Sequence, residues 1–142
     1  VDLKGSRELA EDLVKADSNN VKGFAAEIAH GNDLLSQNAL VGMHKPITTK
    51  SGITQNVDAI KVEVTPAGKK IKVAEEVKFK AELNGDDMDQ LRRYAKIAKE
   101  GTDGIEKARL VADPNIYIRP EYFIELETLN IEIIWRSFSN VI

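Results

Sequence analysis

The chain has 142 residues, 42% hydrophobic and 30% charged, with a net charge of -3 and a pI near 5.5. That length and apolar content fit a folded domain with its own core and exclude a disordered tail. Cysteine is absent, which rules out disulfides and thiolate metal sites, and with only two histidines, His30 and His44, a multi-histidine metal site is not expected. Both histidines read as surface or loop residues. No apolar run approaches the ~18 residues of a membrane span. An acidic chain that binds nucleic acid needs its positive charge gathered locally.

In chain order, Ser6 to Lys15 reads as a short amphipathic helix with Leu9, Leu13 and Val14 on one side. Ser18-Asn19-Asn20 supplies a break and a cap. A second helix is expected from about Val21 to Gln37, with Phe24, Ile28 and Leu35 inward and Gly31 as a weak point. Residues Gly42 to Gly52 read as a loop or short edge strand, since Pro46 cannot sit in a central strand. Val57 to Thr65 and Lys69 to Ala81 are rich in Val and Ile and read as paired strands. Pro66-Ala67-Gly68 between them has the chemistry of a three-residue hairpin loop.

Closing that loop with Thr65 opposite Lys69 fixes the register and sets Asp58 across from Glu76. Asn84-Gly85 ends the hairpin. Asp86 or Asp87 then caps a helix to about Glu100, stopped by Gly101, with Met88, Leu91, Ala95 and Ala98 buried. Ala108 to Ala112, Ile116 to Ile118 and Ile131 to Trp135 are short strand candidates. The predicted class is α/β, bordering on α+β, with a mixed sheet flanked by helices. The expected organisation is one domain over 1–142, with 1–20 a helical lead-in and 21–142 the core.

Glu76 and Lys78 stand two apart on one strand, so both face the same side, roughly 6.5 Å apart. The register brings the Asp58 and Glu76 Cβ atoms within about 5 Å. Two carboxylates and a lysine converging in this way suit phosphodiester hydrolysis, in which oxygen ligands hold a divalent cation and an ammonium stabilises developing charge. Glu75, next in the chain, competes for the ligand role, but shares its face with Val73, Val77 and Phe79.

The pattern resembles the PD-(D/E)XK nuclease superfamily: Val57-Asp58-Ala59-Ile60 at one strand, then Glu76-Val77-Lys78 in the next. Gln90-Leu91-Arg92-Arg93-Tyr94 matches the Gln-x-x-x-Tyr motif that several of its families carry on the following helix, and Glu27 stands where they place a helical Glu before the hairpin. Acid-x-base triplets recur by chance, as in Asp2-Leu3-Lys4, so the weight lies in the strand context, the opposed Asp and the Gln-x-x-x-Tyr. Val57 replaces the family's Pro.

The resemblance covers residues 21 to 118. It implies a restriction-endonuclease-like fold and a metal-dependent endonuclease acting on tRNA or DNA. It implies Asp58, Glu76, Lys78 and Glu27 as catalytic residues, with Asp58, Glu76 and Glu27 holding the metal, Mg²⁺ first and Mn²⁺ or Zn²⁺ as alternatives. Gln90, Tyr94, Arg92, Arg93 and Lys80 would then meet substrate. Further positive charge from Lys69, Lys70, Lys72, Lys96 and Lys99 would form a stripe beside the site.

The missing initiator Met and the domain size fit a C-terminal toxin domain of the contact-dependent growth inhibition type. Such a domain would be delivered from the surface of a producing bacterium into a target cell's cytoplasm and paired with an immunity protein. The alternatives are a cytoplasmic housekeeping nuclease of repair or restriction, and a non-catalytic binding module.

Overall fold

The computed structural model describes residues 1–3, 5–7, 9–10 and 20–139. The elements are α1 (Val21–Ser36), β1 (Leu40–Thr48), β2 (Thr54–Val64), β3 (Lys70–Lys78), α2 (Gly85–Glu100), a 3₁₀ turn (Thr102–Gly104), β4 (Ile105–Ala112), α3 (Pro120–Thr128) and β5 (Glu132–Trp135). They build one mixed sheet of five strands in the order β1-β2-β3-β4-β5. The first three strands form an antiparallel meander, and β3, β4 and β5 run parallel through helical crossovers. The predicted class, a mixed sheet flanked by helices, is therefore what the chain adopts.

The hairpin closes as expected. The Thr65 N–H donates to the Lys69 carbonyl at 2.8 Å, and Gly68 takes the left-handed conformation (φ 83°) that glycine tolerates without a Cβ clash. The pairs run from Val64↔Lys70 to Ala59↔Glu75, which is the predicted register. Pro46 does lie on an edge strand, β1, although that strand begins two residues before the predicted segment, at Leu40. Strand β2 starts three residues earlier than expected, at Thr54, and β3 stops at Lys78.

Adjacent residues on the central strands face opposite layers. On one side Ile60, Ala74 and Leu110 pack with Met88, Leu91, Tyr94 and Ile97 of α2. On the other, Ala59 packs with Leu34 and Met43, while Val77 and Val111 pack with Ala26 and Phe138. Helix α2 is capped by Asn84, whose side chain accepts from the Asp87 N–H while the Asp87 carboxylate accepts from the Asn84 N–H, and Gly101 ends it at φ 65°. The cap is thus Asn84, not Asp86 or Asp87. The buried stripe is carried by Met88, Leu91, Tyr94 and Ile97, with Ala95 and Ala98 only partly covered.

Helix α1 differs more from expectation. Its buried face is Ala26, Glu27, His30, Gly31 and Leu34, whereas Leu35 is exposed. Two of those five positions are ionisable, so the true inner face carries little apolar signal. Gly31 does not break the helix; a Cβ there would meet the Met43 side chain at 2.3 Å, so the missing side chain lets α1 settle on β1. Helix α3, with Pro120 in its first turn, was not expected. Only Leu126 among its nine residues is buried, too thin a stripe to read. Of the predicted first helix, residues 6–7 and 9–10 are helical, as is residue 5 before it, and Leu9 is fully buried; Leu13 and Val14, with Ser18 and Asn19 of the predicted break, lie outside the described residues. Tyr117 makes a single bridge to Glu82 in place of a strand at 116–118.

Candidate metal centre

The pairing of β2 with β3 ends at Ala59↔Glu75, one step short of the expected Asp58–Glu76 pair, whereas β3 stays paired with β4 through Lys78↔Ala112. One step beyond the last β2–β3 pair, the Val77 N–H donates to the Asp58 side chain (Oδ2, 2.8 Å). Asp58 thus satisfies the backbone at this fork with a carboxylate oxygen where a neighbouring strand would offer a carbonyl. Its own N–H donates to the Tyr94 hydroxyl at 2.9 Å. That hydroxyl also lies 3.4 Å from the Asn56 carbonyl and 3.5 Å from the Glu75 carbonyl. Tyr94 is fully buried, so it braces the fork from within the core and does not line the opening.

A cleft of about 400 Å³ opens over the fork, lined among others by Glu27, His44, Asp58, Glu76, Lys78 and Gln90. Glu27 comes from α1 and Glu76 from β3; both are buried. Glu76 Oε1 lies 3.3 Å from Lys78 Nζ, while Oε2 is buried and has no hydrogen-bond partner among the described residues. A buried carboxylate oxygen without a partner is costly, and a proton, an ordered water or a cation would satisfy it.

Burial, with Glu27 as a close neighbour, pushes Asp58 well above the usual carboxylate range. Burial and the nearby Asp58 push Glu76 up as well, against the opposing pull of Lys78. For Lys78, burial favours the neutral amine, but Glu76, Asp87 and Asp58 outweigh it, and the ammonium is held more firmly than usual.

Lys78 is fixed from three sides: Gln90 Oε1 at 2.7 Å, Asp87 Oδ1 at 3.0 Å and Glu76 Oε1 at 3.3 Å. Asp87 uses its other oxygen for Lys80 Nζ and the Asn84 N–H, each at 2.8 Å. Burial would raise Asp87, but Lys78 and Lys80 bring it below its ordinary value. Asp87 was legible only as a helix-capping acid; its hold on both lysines depends on how α2 folds back over β3.

The structure brings Glu27, Asp58, Glu76, Lys78, Lys80 and Gln90 to one cleft. Gln90 contacts Lys78, and Tyr94 lies beneath the site. Arg93 stands one layer back, donating to Gln55, which lines the cleft. Arg92 is not brought there: Glu125 grips it through two hydrogen bonds of 2.6 and 2.8 Å, and Asp89 adds a third. The expected stripe is further reduced by the pairing of Lys69 with Glu106 and by the Lys72 contact to the Asp103 carbonyl.

Neither histidine is the loose surface residue expected. His30 is buried between Glu75 (2.7 Å) and Arg136 (2.6 Å) on the far face of β3, which also accounts for Glu75. Arginine only donates, so His30 Nδ1 accepts and Nε2–H faces the Glu75 carboxylate. His44 lies on β1 between the paired residues Met43 and Lys45, at φ 48°, and lines the cleft. Among the described residues, Glu27, His44 and Asp58 form a group whose potential ligand atoms all lie within 4.8 Å of one another. The only signal for His44 in the sequence was its position opposite Asp58, visible once β1 is known to pair with β2.

Compared with protein-family models, curated proteins and solved structures, the chain finds no significant match. Among the described residues no helix is long and apolar enough to cross a membrane.

Proposed function

We propose that this chain is a metal-dependent endonuclease of the PD-(D/E)XK kind, hydrolysing phosphodiester bonds in DNA or tRNA. The observation that carries the reading is the fork itself. Asp58, Glu76 and Lys78 meet where β2 and β3 part, Glu27 joins them from α1, and Glu76 Oε2 is buried without a partner. The donor set fits a divalent cation, with carboxylate oxygens from Asp58, Glu27 and Glu76. Such a cation, when bound, polarises a phosphate and makes water more acidic.

The protein's own groups do the rest. The Asp58 carboxylate is oriented by the Val77 N–H. The Tyr94 hydroxyl holds the Asp58 backbone. Lys78 presents a permanent positive charge, aimed by Gln90 and Asp87, where a phosphate oxygen gains negative charge. Lys80, partly exposed at the cleft, offers sequence-independent attraction for the backbone of a nucleic acid. The antibacterial toxin role, delivery into a target cell and an immunity protein as partner rest on the sequence resemblance alone.

The test is incubation of the protein with plasmid DNA and with total tRNA, in Mg²⁺, Mn²⁺ or Zn²⁺ and in chelator. Cation-dependent cleavage of one polymer supports the reading and names the substrate. Cleavage of neither under any cation refutes it.

A further inference from the structure

We infer that His44 is a metal ligand: with Glu27 and Asp58 it forms a mixed nitrogen–oxygen site that takes an imidazole-accepting transition cation such as Zn²⁺ or Co²⁺ in preference to Mg²⁺. This deepens the proposed function and rests on its cation site.

Three observations lead to it. First, one potential ligand atom from each of Glu27, His44 and Asp58 lies within 4.8 Å of the other two. Ligands about 2.0–2.2 Å from a tetrahedral ion stand about 3.3–3.6 Å apart, so side-chain shifts on the order of an ångström would close the set. Second, the residues come from three separate elements, α1, β1 and β2, so no local sequence effect gathers them. Third, the same cleft holds the buried, unpartnered Oε2 of Glu76, an independent sign that a cation belongs there. An all-oxygen cage would suit Mg²⁺; one imidazole beside carboxylates shifts preference towards transition ions.

The other histidine does not compete. Both ring nitrogens of His30 are engaged, by Glu75 and Arg136, and His30 is not among the residues lining the cleft. The chain has only these two histidines, so its imidazole spectrum is a two-signal readout.

The experiment titrates untagged, metal-free protein with Zn²⁺ and with Mg²⁺, following the histidine ring resonances by NMR and the affinity by calorimetry. The variants are His44→Asn and Glu27→Gln. Asparagine suits the left-handed backbone of residue 44 better than alanine, so the substitution tests the ring and not the chain path. Zn²⁺ should shift one imidazole in the wild type and leave the other unmoved. His44→Asn should weaken Zn²⁺ binding roughly tenfold to a hundredfold and change Mg²⁺ binding by less than about twofold.

Two results overturn the inference in distinguishable ways. If Zn²⁺ binds, Glu27→Gln weakens it and neither imidazole moves, the cation site stands and His44 is outside it. If the wild type binds no divalent cation, the site and the proposed function fall together. Once the two imidazoles are assigned through their bonds to the backbone, the wild-type spectrum decides the role of His44 even if the variant does not fold.

Discussion

Two groups of charge sit towards opposite ends of β2. Towards one end, Glu63 meets Arg109 of β4 through two hydrogen bonds of 2.6 Å, and Arg109 also donates to Glu132 at 2.8 Å. Every charge has an opposite, and the Arg109 hydrogen bond outweighs the cost of partial burial to hold Glu63 at about 2. Five residues away on the same strand, Asp58 and Glu76 are crowded together and pushed up, with one Glu76 oxygen unmatched. Both ends use carboxylates and a cationic side chain. The first is a finished structural tie; the second gathers buried carboxylates with one oxygen unmatched, the feature that the proposed function assigns to a cation.

The largest expected effect of breaking this contrast is on cleavage. Asp58→Asn and Glu76→Gln should each lower metal-dependent cleavage on the order of 10³-fold, measured as a rate at saturating cation. The same Glu76→Gln change should stabilise the metal-free protein, because it removes the need to ionise a buried acid. The expected rise in Tm near neutral pH is a few degrees, roughly 2–4 °C per kcal/mol in a domain of this size.

The pH dependence has opposite sign at the two ends. An acid raised in the folded state binds its proton more tightly there than in the unfolded chain. Its stabilising contribution is complete at low pH and is lost as pH climbs from the ordinary carboxylate range through the raised value. The Tm advantage of Glu76→Gln over wild type should therefore grow with pH and vanish on acidification or on adding cation. Glu63 is depressed, so its contribution is present above the ordinary value of 4.5 and lost as pH falls through about 2. Glu63→Gln should destabilise near neutrality, and the deficit should close below that window. Thermal melts from pH 3 to 8 read the whole of the first trend and the onset of the second, as the Glu63→Gln deficit narrows below pH 4.5.

Smaller effects come from the residues behind Lys78. Gln90→Ala should slow cleavage roughly tenfold to a hundredfold by loosening the ammonium, with circular dichroism unchanged. Tyr94→Phe removes the acceptor for the Asp58 N–H and should cost about 1 kcal/mol in urea melts, with a modest loss of rate. Arg92→Ala, which only breaks the exposed tie to Glu125 and Asp89, should leave cleavage unchanged within about twofold.

How much of this was legible follows from where each signal lives. The hairpin register was readable because the Pro66-Ala67-Gly68 loop fixes it locally, and it carried Asp58, Glu76 and Lys78 to one place. The inner face of α1 is hidden from the hydrophobic pattern because Glu27 and His30 occupy positions that the pattern would assign to apolar residues. A buried face is thereby disguised as a polar one. The place of His44 is not legible in the sequence because it depends on the pairing of β1 with β2, a contact between segments with no turn signal as strong as that at residues 66–68. In the sequence Arg92 belongs with Arg93, Lys96 and Lys99 to a run of positive charge on the helix that carries Gln90. On a helix, residues two apart point to different sides, and Arg92 follows Glu125 outward.

The most direct test of the contrast is to measure cleavage by wild type, Glu76→Gln and Glu63→Gln side by side, on the preferred nucleic acid, with divalent cation and with chelator. The account predicts rapid cleavage by wild type and by Glu63→Gln below its melting range, near-complete loss in Glu76→Gln despite its higher Tm, and no cleavage by any of them in chelator. Cleavage by Glu76→Gln at the wild-type rate, or cleavage that persists in chelator, would contradict it.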